Sequence, residues 1–551
     1  MLSEEESQEN YSVIISIDFG TTFSGCSYAL RDTKEVFDIT KWPKYTGFYG
    51  KVPTLLYYKS TTKRLMEWGN GARLLSFKPK QEGDLIHNFK MWLAEDPDIV
   101  GHDQKYTSID TIADYLSRFH QHILEELEKK LGPRYTPDQY SYCLTVPAIW
   151  SDQAKAMMRQ AAVKAGIVES MDPLGRLTLI SEPEAAALYC ERKCDMSNLK
   201  HGDKFMIIDA GGGTVDLIVY EIQQPTPDRN RKLKELTSGY GGICGSSDID
   251  KNMRRLLLTK FGTGGAAMPT CTLEMIMETF IEYIKPVFHG DENHLLDIPA
   301  IALPYLPEGL LNEDYQLVLT AEELDQEVFG PVFSSVSKLI TDQLQQANIQ
   351  VNTAFLVGGF GSSTYLYRTI KNAFSDQIDT FVSPSHAELA IVRGAVYHCL
   401  QPELVTSKVA RRTYGVRTRL PFETGLDPEE SAIMTSDGVK RCSTRFDVIL
   451  RKGQRIKVGS KIRRSFWVTY PKHTEADLYV YDGNEPIPRQ INDPGIQKVA
   501  DFPIKMPHLP GMVAGERVDV SLDFIFGLTE LKIDVLVSGY RSQFTTQLFD
   551  K

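Results

Sequence analysis

The sequence predicts an α/β chain in two unequal parts: a two-lobed region over residues 12–400, then an antiparallel β-sandwich over residues 416–545. Three observations lead there. Strand-like apolar runs alternate with amphipathic helices from Tyr11 to Leu400, one short strand–turn element occurs twice within that stretch, and beyond Arg412 the apolar period changes to two. A chain of 551 residues also exceeds what one compact core organises, usually ~100–200 residues.

The helical period is clearest after Asp110. Ile112, Tyr115, Leu116, Phe119, Ile123 and Leu127 recur at helical spacing, and Gly132-Pro133 ends the segment. A second helix is expected from Ser151-Asp152 to Gly166. Neither carries chemistry, so both read as supports. In the tail, Val518, Val520, Leu522 and Phe524 alternate with polar residues, the chain turns near Gly527, and Ile533, Val535 and Val537 alternate again. Phe466-Val468-Tyr470 and Leu478–Tyr481 are similar runs. Successive alternating strands joined by glycine turns predict a half-buried antiparallel sheet or sandwich. Residues 401–415, with Pro402 and Arg411-Arg412, read as a linker.

Composition narrows the function classes. A hydrophobic fraction of 42% with 24% charged residues is that of a globular protein, and a net charge of -11 argues against a nucleic-acid partner, which needs a basic face. Residues 1–11 read as a flexible N-terminus without the basic and apolar regions of a secretory signal. No apolar run approaches the ~18–20 residues that span a bilayer. Eight scattered cysteines, without a CxxC pair, read as reduced thiols, and a cytoplasmic or nuclear location is expected.

The chemistry lies in the repeated element. Ser16-Ile17-Asp18-Phe19-Gly20-Thr21-Thr22 is an apolar strand, an aspartate, a glycine and hydroxyl residues, and Ile207-Ile208-Asp209-Ala210-Gly211-Gly212-Gly213-Thr214 repeats it. Each precedes another apolar stretch, so each reads as a hairpin. Glycines there let backbone N–H groups approach a polyanion, and a concave row of amides binds phosphate. The aspartate ending each first strand can hold Mg²⁺ through water. Two such hairpins suggest two similar lobes gripping one nucleotide. No GxxxxGK[ST] occurs, which excludes a Walker-type loop. A third glycine element, Gly358-Gly359-Phe360-Gly361-Ser362, follows an apolar strand and leads into a helix expected from Ser363, whose N-terminus would offer amides to the ligand.

Asp18–Phe23, Asp209–Thr214 and Leu356–Ser362 resemble, in order and spacing, the two phosphate motifs and the adenosine motif of the actin, hexokinase and seventy-kilodalton heat-shock superfamily. Thr145-Val146-Pro147-Ala148 and Ser181–Ala187 look like the connecting motifs of the heat-shock branch. Asp447–Gly453 through Val537 is similar to its peptide-binding β-sandwich. Gly239–Gly242, Glu388–Ala395 and Arg411–Val416 echo its atypical twelfth subfamily.

That resemblance implies an actin-like (duplicated ribonuclease H-like) ATPase with lobes 12–205 and 206–400, binding ATP or ADP with Mg²⁺. Gly20, Thr21, Thr22 and Phe23 would wrap the β- and γ-phosphates, with Gly211, Gly212, Gly213 and Thr214 closing from the other lobe. Asp18 and Asp209 would hold the water shell of Mg²⁺. Lys90 would reach the γ-phosphate and orient the attacking water, Glu182 would complete the water network, and Asp209 and Thr214 would join them in catalysis. Glu282 and Lys285 would bond the ribose, while Gly358, Gly359, Phe360, Gly361 and Ser362 would border the adenosine.

Departures from the family pattern accompany the likeness. Pro286 and Ser362 stand where the chaperones carry the two arginines that sandwich adenine, Ser247 replaces a motif glutamate, and Ser385-His386 an expected aspartate. No leucine-rich acidic linker joins the parts, and no lid helices follow the sandwich before Lys551. The expectation is therefore an ATP-binding, chaperone-like protein with weak ATPase activity, lidless, engaging protein or unfolded-peptide clients and a co-chaperone or nucleotide-exchange partner, with no nucleic acid or membrane and a role in stress response. A non-hydrolysing nucleotide-dependent scaffold and an actin-fold sugar or acid kinase are the alternatives.

Overall fold

The computed structural model describes residues 11–78, 82–93, 106–193, 199–224, 231–435, 437–527 and 529–545. The N-terminus expected to be flexible lies outside them, Tyr11 excepted. The chain divides into two compact units, one built from Met1–Ile149, Met158–Arg231 and Gly239–Leu404, the other from Trp150–Met157, Lys232–Ser238 and Val405–Lys551.

In the first unit, β1 (Val13–Asp18) and β2 (Phe23–Leu30) form an antiparallel hairpin, followed by β3 (Val36–Asp38) and β4 (Lys51–Pro53), which both pair with β2. β5 (Tyr140–Val146) runs parallel to β1, and β6 (Leu177–Ser181) parallel to β5, giving the order β3-β2-β1-β5-β6. Every residue of β1 is buried, as expected of a strand covered on both faces.

A second sheet repeats the arrangement. β7 (Lys204–Ala210) pairs antiparallel with β8 (Val215–Ile222), β9 (Tyr240–Gly242) flanks β8, and β10 (Val351–Val357) runs parallel to β7 with β11 (Ile378–Val382) beyond it. The duplication visible in two short motifs therefore extends to strand order. Both motifs are hairpin turns at the end of a central strand, as their glycines require.

The helices follow their sequence signals. α1 spans Gly69–Ser76; α2 spans Ser108–Leu131, starts where the Thr107 side chain accepts from the Asp110 amide, and stops at Gly132, whose φ is 65°. α3 (Glu182–Lys193), α4 (Ser246–Ala267), α5 (Thr364–Phe374) and α6 (Ala390–Leu400) complete the set that positions the site. α3 and α6 touch backbone to backbone: a Cβ on Gly394 would lie 1.7 Å from the Ala185 carbonyl oxygen. This contact explains why Ala185-Ala186-Ala187 and Gly394-Ala395 are small. Each described cysteine is buried and unbridged.

The second unit contains β12 (Val405–Val409), β13 (Thr413–Pro421), β14 (Ala432–Met434), β15 (Lys440–Leu450), β16 (Lys461–Thr469), β17 (Thr474–Tyr481), β18 (Ile496–Ile504), β19 (Arg517–Ile525), β20 (Lys532–Val537) and β21 (Tyr540–Thr545). Two antiparallel sheets, β14-β15-β13-β17-β18 and β16-β19-β20-β21, share one apolar core. Val518, Val520, Leu522 and Phe524 enter that core together with Ile533, Val535 and Val537, the alternation legible in the sequence. Phe466, on the edge strand β16, packs half-buried against the same core.

The segment 401–415, read as a linker, is hydrogen-bonded structure instead. β12 runs parallel to Leu233–Glu235, Thr406 Oγ1 donates to the Leu233 carbonyl at 3.1 Å, and the Val409 amide donates to Glu235 Oε1 at 3.0 Å. Val405, Thr406 and Val409 are β-branched, so the stretch takes a strand once a partner edge is present. Pro402 and the two arginines report only the local break. No helix among the described residues is long and apolar enough to cross a membrane.

Candidate functional site

The two repeated turns face each other across a cavity of about 520 Å³ in the first unit. They come so close that a Cβ on Gly212 would lie 2.3 Å from Thr22 Oγ1, and one on Gly213 2.5 Å from Thr21 Oγ1. Only glycine fits at either position. Both loops are held from behind. Thr54 donates through its amide to the Thr22 carbonyl at 2.8 Å and through its hydroxyl to the Gly20 carbonyl at 2.9 Å. The first turn of α4 does the same for the second loop: Gly245, Ser246 and Ser247 amides donate to the carbonyls of Gly213, Gly211 and Gly212 at 3.1, 3.1 and 2.8 Å.

With those carbonyls engaged, the amides are left over. Among the described residues, no protein acceptor takes the backbone N–H of Thr21, Thr22, Gly212 or Gly213. Two opposed rows of uncommitted amides make an anion cradle. Phe23 is partly exposed on the cavity wall, and Thr214 is buried.

Charged side chains fill the closed end. Lys90, on a short helical turn Phe89–Leu93, donates to Glu182 at 2.5 Å, and both side chains are buried. Asp18, at the end of β1, accepts from Lys51 Nζ at 2.7 Å on Oδ2 and from the Thr145 hydroxyl at 2.9 Å on Oδ1. Asp209, in the equivalent place on β7, is buried, and its Oδ1 has no hydrogen-bond partner among the described residues.

The electrostatics differ between these carboxylates. For Asp18 burial opposes ionisation, but Lys51 and Lys90, with hydrogen bonds from Lys51 and Thr145, hold it below the usual aspartate range. Burial raises Glu182 to about 7, with Asp18 and Asp216 adding to the rise against the pull of Lys90. Asp209 is pushed well above its usual value by burial and by the Glu182, Asp216 and Asp18 carboxylates. Among the described residues no three acidic, histidine or cysteine side chains converge to ligate a metal directly.

The outer part of the cavity holds the residues expected at the ribose and adenosine. Glu282 and Lys285, expected together on a ribose, have separate protein partners: Glu282 accepts from Arg73 at 2.6 Å, and Lys285 donates to Asp250 at 2.7 Å and to the Ser246 carbonyl at 2.9 Å. Both still line the cavity. So do Gly358, Gly359, Phe360 and Ser362, whose hydroxyl donates to the Gly358 carbonyl at 3.3 Å. Gly361 is not on the wall; it is buried, its Cβ position facing Leu356 and Ala210. The α5 helix beyond begins at Thr364, with the Ser363 hydroxyl accepting from the Leu366 amide at 3.3 Å.

Sequence reasoning did not find Lys51, Arg73, Tyr45 or Tyr49, all of which line the cavity. Lys51 sits in a three-residue edge strand and Arg73 in a short helix without a motif, so nothing local marks either one.

Comparison with known proteins identifies the family. The family model described as Hsp70 protein matches residues 100–447, more than half of the chain. Heat shock 70 kDa protein 12A of Homo sapiens is 26% identical, the alignment covering 97% of this chain and 91% of the relative. Heat shock 70 kDa protein 12B of Homo sapiens is also 26% identical, over 97% and 90%. Chaperone protein DnaK of Nitrosopumilus maritimus (strain SCM1) is 24% identical over 57% of this chain and 48% of its own length. This chain belongs to the Hsp70 family, and its likeness to subfamily 12 runs along nearly its whole length.

Proposed function

We propose that the first unit is an Mg·ATP clamp with slow hydrolysis, and that the second, as a β-sandwich, receives protein or unfolded-peptide clients. The observation that carries the nucleotide reading is the pair of opposed amide rows, closed at one end by Lys90, Glu182 and the two aspartates. ATP or ADP would place its phosphates between residues 20–23 and 211–214.

The donor set fits magnesium held at second hand. Among the described residues Asp209 Oδ1 is buried without a hydrogen-bond partner, so Asp209, with Asp18, is free to orient the ion's waters. When bound, the ion supplies neutralisation of phosphate charge. The chain's own groups do the rest. Amides of both loops fix the phosphate oxygens, and Thr214 borders them. Lys90 presents a buried ammonium toward the terminal phosphate, and Glu182, raised to about 7, can accept or share a proton within that pair near neutrality. Such positioning and charge placement are what phosphoryl transfer to water needs.

The base end supports weak selectivity. Pro286 and Ser362 line the cavity where stacking arginines would be, and Glu282 and Lys285 must leave or share their present partners to reach a ribose. This same observation favours, as a second reading, a nucleotide-dependent scaffold without useful turnover. A co-chaperone or exchange partner belongs to either reading.

The test is thermal. Mg·ATP at about 100-fold over its dissociation constant should stabilise the protein by ~2.7 kcal/mol. Lys90→Ala should keep that shift and lose single-turnover hydrolysis. No shift with ATP or ADP at millimolar concentration ends the clamp reading, and a shift without hydrolysis in wild type selects the scaffold.

A further inference from the structure

Three strands place Lys51 in the phosphate end by register. Asp18 of β1 lies opposite Gly25 of β2, and Gly25 lies opposite Lys51 of β4. Successive strands are ~4.8 Å apart, so a lysine two strands away reaches the aspartate only if the residue between has no side chain. Gly25 supplies that gap: a Cβ there would sit 3.1 Å from Lys51 Cγ and 3.6 Å from Cε. The stem crosses the glycine, and Nζ donates to Asp18 Oδ2 at 2.7 Å.

The pair is buried, with side-chain exposures of 9% for Lys51 and 3% for Asp18, yet both residues line the cavity. An ammonium has three donors. Lys51 spends one on Asp18, and no other acceptor takes the remainder among the described residues. Buried charge with unspent donors is costly unless a ligand completes it. The two aspartates are thus unequal: Asp18 is already neutralised by a protein cation and a hydroxyl, whereas Asp209 Oδ1 has no hydrogen-bond partner among the described residues.

We propose that Lys51 is a phosphate-binding residue, a fixed cation that bridges Asp18 and the phosphate oxygens of a bound nucleoside di- or triphosphate and so takes over part of the divalent ion's charge neutralisation. The inference rests on the nucleotide-clamp reading and adds that the grip survives removal of divalent metal. Lysine suits the role because it acts on phosphate as a compact point charge, and the buried site screens it little.

The experiment measures ATP affinity of the full chain by titration calorimetry in magnesium and in excess EDTA. Wild type should bind in EDTA within about tenfold of its affinity in magnesium, and Lys51→Met should weaken EDTA binding at least about tenfold more than magnesium binding. Lys51→Arg should restore EDTA binding. If Lys51→Met alone does not fold, Lys51→Met with Asp18→Asn removes both charges and should likewise lose binding in EDTA. Wild type that binds in magnesium and not in EDTA overturns the role of Lys51 and leaves the clamp standing. Equal losses in both conditions reduce Lys51 to a counter-charge for Asp18. Absence of binding in both conditions defeats the clamp itself.

Discussion

Arg73 and Glu282, 209 positions apart in the chain, meet at the cavity with Arg73 donating to the Glu282 carboxylate at 2.6 Å. Arg73 also pairs with Glu278. The arginine comes from α1, beside the first sheet, and the glutamates from residues 270–284, so the contact joins two elements that line the cavity.

A part-exposed ion pair contributes only ~0–1 kcal/mol to stability, so its effect should be kinetic. Arg73→Ala should change thermal stability by less than about 1 kcal/mol, while ADP leaves several-fold faster. Stopped-flow release of a fluorescent ADP checks this. An unchanged release rate removes the pair from control of the cavity.

Asp209 is buried, without a partner at Oδ1 among the described residues, and raised in pKa by burial and by three neighbouring carboxylates. Asp209→Asn keeps the shape and removes a charge that the folded state disfavours. The protein without nucleotide should gain stability at neutral pH, because burial and the neighbouring carboxylates disfavour the ionised form. The extra stabilisation that magnesium adds to ATP should shrink. Melting curves with ATP in magnesium and in EDTA read both effects, and a less stable variant with full magnesium dependence would falsify the assignment.

His120 sits in the core of the first unit, its Nε2 2.9 Å from the Tyr142 hydroxyl, and burial lowers its pKa to about 4, with Arg176 adding to the effect. The unfolded chain takes up this proton near pH 6.5, the folded chain only near 4. Neutral His120 therefore supports the fold fully above pH 6.5, and that support is lost as pH falls from 6.5 to 4. Over this window the stability gap between wild type and His120→Gln should narrow, by on the order of 3 kcal/mol in total. Denaturant titrations at stepped pH measure it, and a constant gap would show that the ring already titrates normally.

Gly394 leaves no room for a methyl group, because its Cβ would lie 1.7 Å from the Ala185 carbonyl oxygen. Gly394→Ala must push α3 and α6 apart, which should cost about 1–3 kcal/mol or more. Since α3 begins at Glu182, nucleotide affinity should fall with stability. Calorimetric melting and ATP titration test the pair of effects, and a wild-type melting temperature would mean that the helices separate freely.

The parts whose physics is local were legible along the chain. Asp18 through Phe23 and Asp209 through Thr214 had to be strand ends followed by turns that only glycine and small hydroxyl residues allow, and the structure makes both of them hairpins. The period of two in Val518–Phe524 and Ile533–Val537 likewise fixed which side chains enter a core. Tertiary structure alone decided the rest, because distant elements had to meet. Lys51 reaches Asp18 only through the β1-β2-β4 register and the gap at Gly25. Glu282 and Lys285 share a helical turn, yet their partners, Arg73 and Asp250, come from other elements. Residues 401–415 contain a strand because an edge at Leu233–Glu235 is there to pair with it. Spacing along a chain sets which face a residue occupies, but a buried charge takes its partner from whatever the fold brings within ~3 Å.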